Sequence, residues 1–127
     1  MKYIRKTRGP VAAEGAWKAR ARWRIARGRD IALGPGKADL LEAIGRLGSI
    51  SAAARALGMS YRRAWVLVDT MNRCFVRPLV ITSRWRGGGA SLSKLGREVL
   101  RLYRVTERDS RRAVLGPLRR LLAAVRR

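Results

Sequence analysis

The chain has 127 residues and is strongly basic: 30 lysines and arginines stand against eight aspartates and glutamates, for a net charge of +22 at pH 7. This length suits one domain, and 47% hydrophobic residues suffice for a core. There is no histidine and one cysteine, Cys74, so an internal disulfide, a Cys/His zinc site and histidine-dependent catalysis are excluded. We predict that Cys74 is a small buried apolar residue and that the protein is not an enzyme.

The charge indicates a polyanionic partner. Net charge is +8 over residues 1–35, +3 over 36–75 and +11 over 76–127, so the core should lie in the middle segment between two cationic flanks. Double-stranded DNA is the partner we predict, with RNA or an anionic membrane surface as alternatives. No stretch resembles a signal peptide or a membrane span, so we expect a cytoplasmic, nucleoid-associated protein without a membrane partner. We predict no cofactor, no metal and no small-molecule effector site.

The first third of the chain changes character near residue 20. Residues 1–20 combine glycines, a proline and scattered basic residues, which predicts a flexible basic arm. In residues 21–33 apolar and basic side chains alternate around Gly28, which predicts two short strands or one bent strand. Gly34-Pro35-Gly36 should end this segment.

Helical periodicity follows. We predict helices over residues 37–47, 51–57 and 60–74, a β-hairpin over 79–92, and a long helix from Ser93 to about Arg112. Gly48 should end the first helix, Ser49 or Ser51 should cap the second, and Ser60 should cap the third. Gly116-Pro117 should break the long helix, leaving 118–125 for one more short helix.

Residues 51–64 have the spacing of a helix-turn-helix. Two helices are joined by a short turn in which Gly58 supplies the left-handed conformation. Ala64 and Val68 should pack inward, so that the start of the third helix faces outward, as a recognition helix faces the major groove. The candidate DNA contacts are Ser60, Tyr61, Arg62, Arg63, Trp65 and Val66 on this helix, and Arg84, Arg86 and Lys94 in and after the hairpin. Arg24, Arg27 and the N-terminal basic residues would add contacts to phosphates.

The sequence resembles two families of bacterial regulators. Residues 48–60 resemble the helix-turn-helix of LysR-type regulators. Over about residues 22–108 the chain looks more like the ModE family of molybdate-responsive regulators. The features are residues 34–37, Ser60 to Trp65, Met71-Asn72, the Gly87-Gly88-Gly89-Ala90 wing, and Leu92-Ser93 with Gly96 and Tyr103 in the following helix.

This resemblance implies a DNA-binding transcriptional regulator that forms a homodimer through the helix after the wing. We therefore expect a mainly α fold with a small β component: a basic arm (1–20), a winged helix-turn-helix (21–92) and a C-terminal helical dimerisation segment (93–127). Leu95, Val99 and Leu102 form the apolar stripe of that segment. About fifteen residues follow the long helix, so we expect no molybdate-binding domain in the chain. The alternative is an architectural, chromatin-like DNA binder with little sequence specificity.

Overall fold

The computed structural model describes residues 16–83 and 89–126. Its elements follow the order β1 (Ile25–Arg27), β2 (Asp30–Leu33), α1 (Pro35–Leu47), α2 (Ile50–Ala56), α3 (Tyr61–Cys74), β3 (Val80–Thr82), β4 (Ala90–Leu92), α4 (Lys94–Ala113) and α5 (Leu115–Ala124). The strands form two separate antiparallel hairpins, β1–β2 and β3–β4. The predicted fold class, mainly α with a small β component and a long helix after the wing, is confirmed.

The core forms where α1, α2, α3 and the β3–β4 hairpin meet. Its largest fully buried side chains are apolar and come from α1, α3 and the residue before β3: Leu40, Leu41, Ile44, Val68, Met71 and Leu79. No polar or charged residue is buried among those the structure describes. Burial of this apolar surface is the main force that holds the three helices and the hairpin together.

The ends of α1 and α2 show why the helices begin and stop there. Pro35 occupies the start of α1, two residues earlier than predicted, because the first helical N–H groups need no intrahelical acceptor. Gly48 ends α1 in the left-handed conformation, with φ 73°. Ser49, one of the two predicted caps, accepts a hydrogen bond from the Ala52 N–H at 3.0 Å.

The chain just before the N-terminal hairpin is bonded to α4. The predicted alternation resolves into two strands joined at Gly28, which has φ 62°. The Tyr103 hydroxyl donates to the Trp23 carbonyl at 2.8 Å, and the Trp23 indole N–H donates to Ser110 Oγ at 2.9 Å. Residues 16–24 have no regular structure, yet the Trp17 indole donates to the Arg126 carbonyl at 2.6 Å. The rest of the predicted basic arm, residues 1–15, lies outside the described residues.

An ion-pair cluster joins α4 to α1. Arg104 bonds Asp39 and Glu42 of α1 and Glu107 of its own helix, at 2.8 to 3.0 Å. Partial burial disfavours the charged guanidinium, but the bonds to the three carboxylates prevail and raise the pKa of Arg104.

Two predictions in the C-terminal half are wrong. Gly116-Pro117 does not stand between helices: α4 ends at Ala113 and α5 begins at Leu115. Pro117 is therefore the third residue of α5, where its missing N–H removes no intrahelical hydrogen bond. Cys74 is exposed rather than buried, because it is the last residue of α3 and the backbone becomes extended at Phe75. No helix in the described parts of the chain has the length and hydropathy needed to cross a membrane.

Candidate nucleic-acid interface

The turn between α2 and α3 places the start of α3 at the surface. Gly58 takes the left-handed conformation that was predicted, with φ 68°, and the Met59 N–H donates to the Ala54 carbonyl at 3.0 Å. Ser60 then caps α3, accepting a hydrogen bond from the Arg63 N–H at 3.0 Å. A capped helix start that points outward has the polarity to approach a phosphate.

The buried and exposed faces of α3 follow from its sequence. Ala64, Val68 and Met71 are buried, as a helical spacing of three and four residues requires. The side chains directly opposite are exposed, and we call them the outer row of α3: Arg62, Val66, Asp69 and Arg73. The predicted inward positions of Ala64 and Val68 and outward positions of Arg62 and Val66 are confirmed.

An aromatic pair flanks the outer row. Tyr61 and Trp65 pack edge to face, with ring centroids 6.2 Å apart and planes at 80°. Tyr61 is 55% exposed and Trp65 is 37% exposed. The pair leaves both rings at the surface beside Arg62, where they could contact sugar, phosphate or base edges.

Charge is distributed unevenly around this surface. From residue 43 to residue 97 the sequence contains one carboxylate, Asp69. It bonds Arg73 one turn later at 3.0 Å, and both side chains are about two-thirds exposed. Of the basic residues that the structure describes in this stretch, Arg73 alone has an ion pair, so their field attracts a polyanion.

Asn72 fixes the β3–β4 hairpin against α3. Its Oδ1 accepts from the N–H groups of Leu79 and Val80 at 2.8 and 3.1 Å, and its Nδ2 donates to the Val80 carbonyl at 3.1 Å. On the other strand, the Ala90 N–H donates to the Gly48 carbonyl at 2.9 Å. The hairpin that follows α3 is thus held in a fixed position relative to it, as a wing must be.

Close contact between α4 and the residue before β3 completes the support. The Ser93 Oγ donates to the Pro78 carbonyl at 2.7 Å and accepts from the Gly96 N–H at 2.9 Å, capping α4. A Cβ on Gly96 would overlap the Leu79 carbonyl. Residue 96 therefore has to be glycine for α4 to lie this close to the wing.

Most of the predicted contact residues are exposed. Ser60, Tyr61, Arg62, Arg63, Trp65 and Val66 are exposed on the first half of α3, and Lys94 is exposed at the start of α4. Arg84 and Arg86, predicted as wing contacts, lie outside the described residues. Sequence reasoning noted Asn72 and Gly96 only as family features and gave them no role; a polar residue near the end of an amphipathic helix was the available signal for Asn72.

These elements define the class of the protein. A helix-turn-helix with an exposed third helix, followed by a hairpin bonded to that helix, is a winged helix-turn-helix domain.

The comparisons with known proteins point to one family. The chain is 42% identical over 78 residues to the molybdenum transport protein ModE of Azotobacter vinelandii, which covers 60% of this chain and 29% of that protein. It is 43% identical over 77 residues to the molybdenum-pterin-binding protein MopB of Rhodobacter capsulatus, covering 59% and 28%. It is 36% identical over 102 residues to the DNA-binding transcriptional dual regulator ModE of Escherichia coli K12, covering 73% and 39%.

The predicted resemblance to the ModE family is therefore confirmed, and this chain contains a domain homologous to ModE-family regulators. The matches span less than two-fifths of the length of each of these relatives. No protein-family model matches the chain. The similarity to LysR-type regulators stays a prediction.

Proposed function

We propose that the chain is a DNA-binding transcriptional regulator that inserts α3 into the major groove and places the wing on the neighbouring backbone. One observation carries the proposal: the exposed, capped start of α3 lies in a stretch of 55 residues, 43 to 97, that contains a single carboxylate. A surface of this kind is suited to a polyanion, and a helix presented by a helix-turn-helix is suited to the major groove.

Two kinds of contact would share the work. Lys94 and the wing arginines Arg84 and Arg86 would neutralise phosphates, which positions the protein without reading sequence. Arg62, at the second position of α3, would reach a base edge and donate two hydrogen bonds to a guanine. Ser60, Tyr61, Arg63 and Trp65 would supply further contacts to phosphates, sugars or bases around it.

The roles of Arg62 and Arg86 can be separated on DNA selected by the chain from a random duplex library. For Arg62→Ala we expect the preference at one base position to fall about 5- to 150-fold, the equivalent of about 1–3 kcal/mol. For Arg86→Ala we expect equal weakening on selected and unrelated duplexes and a shallower salt dependence. Arg108→Ala on α4 is the matched control, because Arg108 is exposed far along the helix and paired with Asp109 at 3.0 Å. An Arg62→Ala variant with unchanged preference at every position would refute the assignment.

The alternative is an architectural protein that uses the same fold with little sequence preference. The high net charge favours it, because non-specific affinity grows with the number of phosphates neutralised. The ratio of specific to non-specific affinity at one salt concentration distinguishes it from a regulator.

We further propose that the chain forms a homodimer through α4, α5 and the N-terminal hairpin. α5 has no buried residue, and Leu121 on it is 65% exposed. Leu102 on α4 and Ile25 on β1 are about half exposed, while Val99 of the predicted stripe is buried in the core and Leu95 packs against it. Apolar side chains this numerous on a cationic protein favour a partner surface. Sedimentation should show a dimer that Leu121→Lys weakens; a monomer both free and on DNA would contradict the proposal.

The names of the relatives associate them with molybdenum, and we propose for this chain a role in controlling genes of molybdenum use. We predict no small-molecule effector site, so DNA affinity measured with and without added molybdate should be equal. A change in affinity would show that this chain responds to the anion directly. Genome-wide mapping of the bound sites tests the gene set.

A further inference from the structure

Val66 is an apolar side chain at the centre of a polar surface. It is 56% exposed and lies in the outer row of α3, one turn after Arg62 and one turn before Asp69. The other three members of that row are charged. Val66 therefore interrupts a charged row with two methyl groups.

Packing does not account for this residue. The side chain lies opposite the buried Ala64, Val68 and Met71, so it contributes little to the core. A β-branched residue also lowers helix propensity at an exposed position, where lysine, glutamine or alanine would be better. Stability alone would therefore select against valine at this point of α3.

The position of Val66 suits a contact inside the major groove. It is the sixth residue of α3, so at 1.5 Å per residue its Cα lies about 7.5 Å along the helix from that of Tyr61. This distance is less than the width of the groove, about 12 Å. The 5-methyl group of thymine is the apolar group that the major-groove edge of a base pair offers.

We propose that Val66 contacts the 5-methyl group of a thymine in the bound DNA, next to the base read by Arg62. This rests on the proposed function and deepens it, because it names one base chemistry that the outer row of α3 selects. The thymine methyl would lose its water against the two valine methyls, as one apolar group packs on another.

The contact can be tested by removing one methyl group at a time. A duplex selected from a random library is resynthesised with deoxyuridine in place of each thymine in turn, which deletes the methyl and leaves base pairing intact. We expect one position to lower the affinity of the natural chain about fourfold, as burial of one carbon group predicts. Val66→Ala should bind the thymine duplex about fourfold more weakly and should no longer distinguish thymine from deoxyuridine at that position, since the two changes remove the same contact.

Val76→Ala is the matched control: it makes the same substitution at a residue that is 84% exposed beyond the end of α3, and it should discriminate as the natural chain does. The inference is overturned if no thymine methyl matters, or if Val66→Ala retains the discrimination. A library that yields no preferred sequence overturns the proposed function as well. A preferred sequence without methyl dependence overturns only the role of Val66.

Discussion

Two regions of the molecule use arginine differently: the ion-pair cluster of Arg104, and residues 43–97. Arg104 of α4 is bonded to three carboxylates, and the bonds to Asp39 and Glu42 link α4 to α1. From residue 43 to 97 there is one carboxylate, and Arg62 and Arg63 have no acidic partner in the described parts of the chain. An arginine with carboxylate partners in the protein has a structural role, and an arginine without such partners is available to a ligand. Net charge alone does not show this difference, because both regions are rich in arginine.

The two regions also differ in how they are held. Asn72 joins the wing to α3 by hydrogen bonds to backbone groups, and the close approach of Gly96 to the Leu79 backbone joins the wing to α4. The chain just before the N-terminal hairpin is joined to α4 by two side-chain hydrogen bonds at Trp23. We therefore expect substitutions of the residues that support the wing to lower stability more than substitutions near Trp23.

The largest effect on stability should come from Gly96→Ala. The added Cβ meets the Leu79 backbone, which can move only if α4 and the wing separate, and we expect a loss of about 3 kcal/mol. Gly36→Ala is the control: it lies in α1 with nothing near its Cβ position, and alanine should stabilise the helix slightly. Urea denaturation of both variants measures the difference. Equal stabilities would show that the wing is not held against α4 as described.

Asn72→Ala should have the second largest effect on stability. It removes three hydrogen bonds and leaves the partly buried backbone groups of Leu79 and Val80 without their partner, at a cost of about 2 kcal/mol. Asn72→Asp keeps an acceptor for both N–H groups and should recover part of this loss. Hydrogen exchange should report faster opening of β3 in the alanine variant. Unchanged protection of β3 would show that Asn72 does not hold the hairpin against α3.

Where α4 contacts Trp23, Tyr103→Phe should lower the free energy of unfolding by about 1 kcal/mol, because it removes one hydrogen bond to the Trp23 carbonyl. Burial raises the pKa of the Tyr103 hydroxyl. The protonated form is thus favoured on folding, so its contribution is complete below the ordinary tyrosine pKa and is lost as pH rises through the raised one. Thermal denaturation should show a smaller difference between the two proteins at high pH than at pH 7. A gap that widens with pH would contradict this sign.

The smallest effect should be a gain. Asp69→Asn removes the one carboxylate from the cationic stretch, and we expect affinity for unrelated DNA to rise about two- to fivefold. Asp109→Asn breaks the corresponding pair with Arg108 on α4 and should change affinity less. Fluorescence titration at one salt concentration compares them. Equal gains would mean that net charge, and not the surface of α3, determines affinity.

Local signals in the sequence were sufficient for the helix-turn-helix. Gly48, Gly58 and Ser60 determine helix ends by their own backbone and side-chain chemistry, and the spacing of Ala64 and Val68 determines which face of α3 is buried. Cys74 and Pro117 were misjudged because their surroundings depend on where a helix ends, which residue type alone does not decide.

Contacts between different elements could not be predicted from the sequence. Asn72 bonds the wing, Tyr103 bonds Trp23, and Gly96 lies against Leu79. Each contact joins two different elements, and the periodicity within one element does not predict such a contact. The position of the wing relative to α3 therefore could not be predicted in detail. The presence of the wing could be predicted, because a short β-branched run, several glycines and a second apolar pair follow α3.

The most direct test of the central claim is the affinity of the complete chain for a duplex selected from a random library, divided by its affinity for an unrelated duplex of equal length in the same salt. A chain that reads bases with α3 should give a ratio of about 10³ or more. A ratio near one, with strong binding to both duplexes, would contradict sequence reading by α3 and identify an architectural protein.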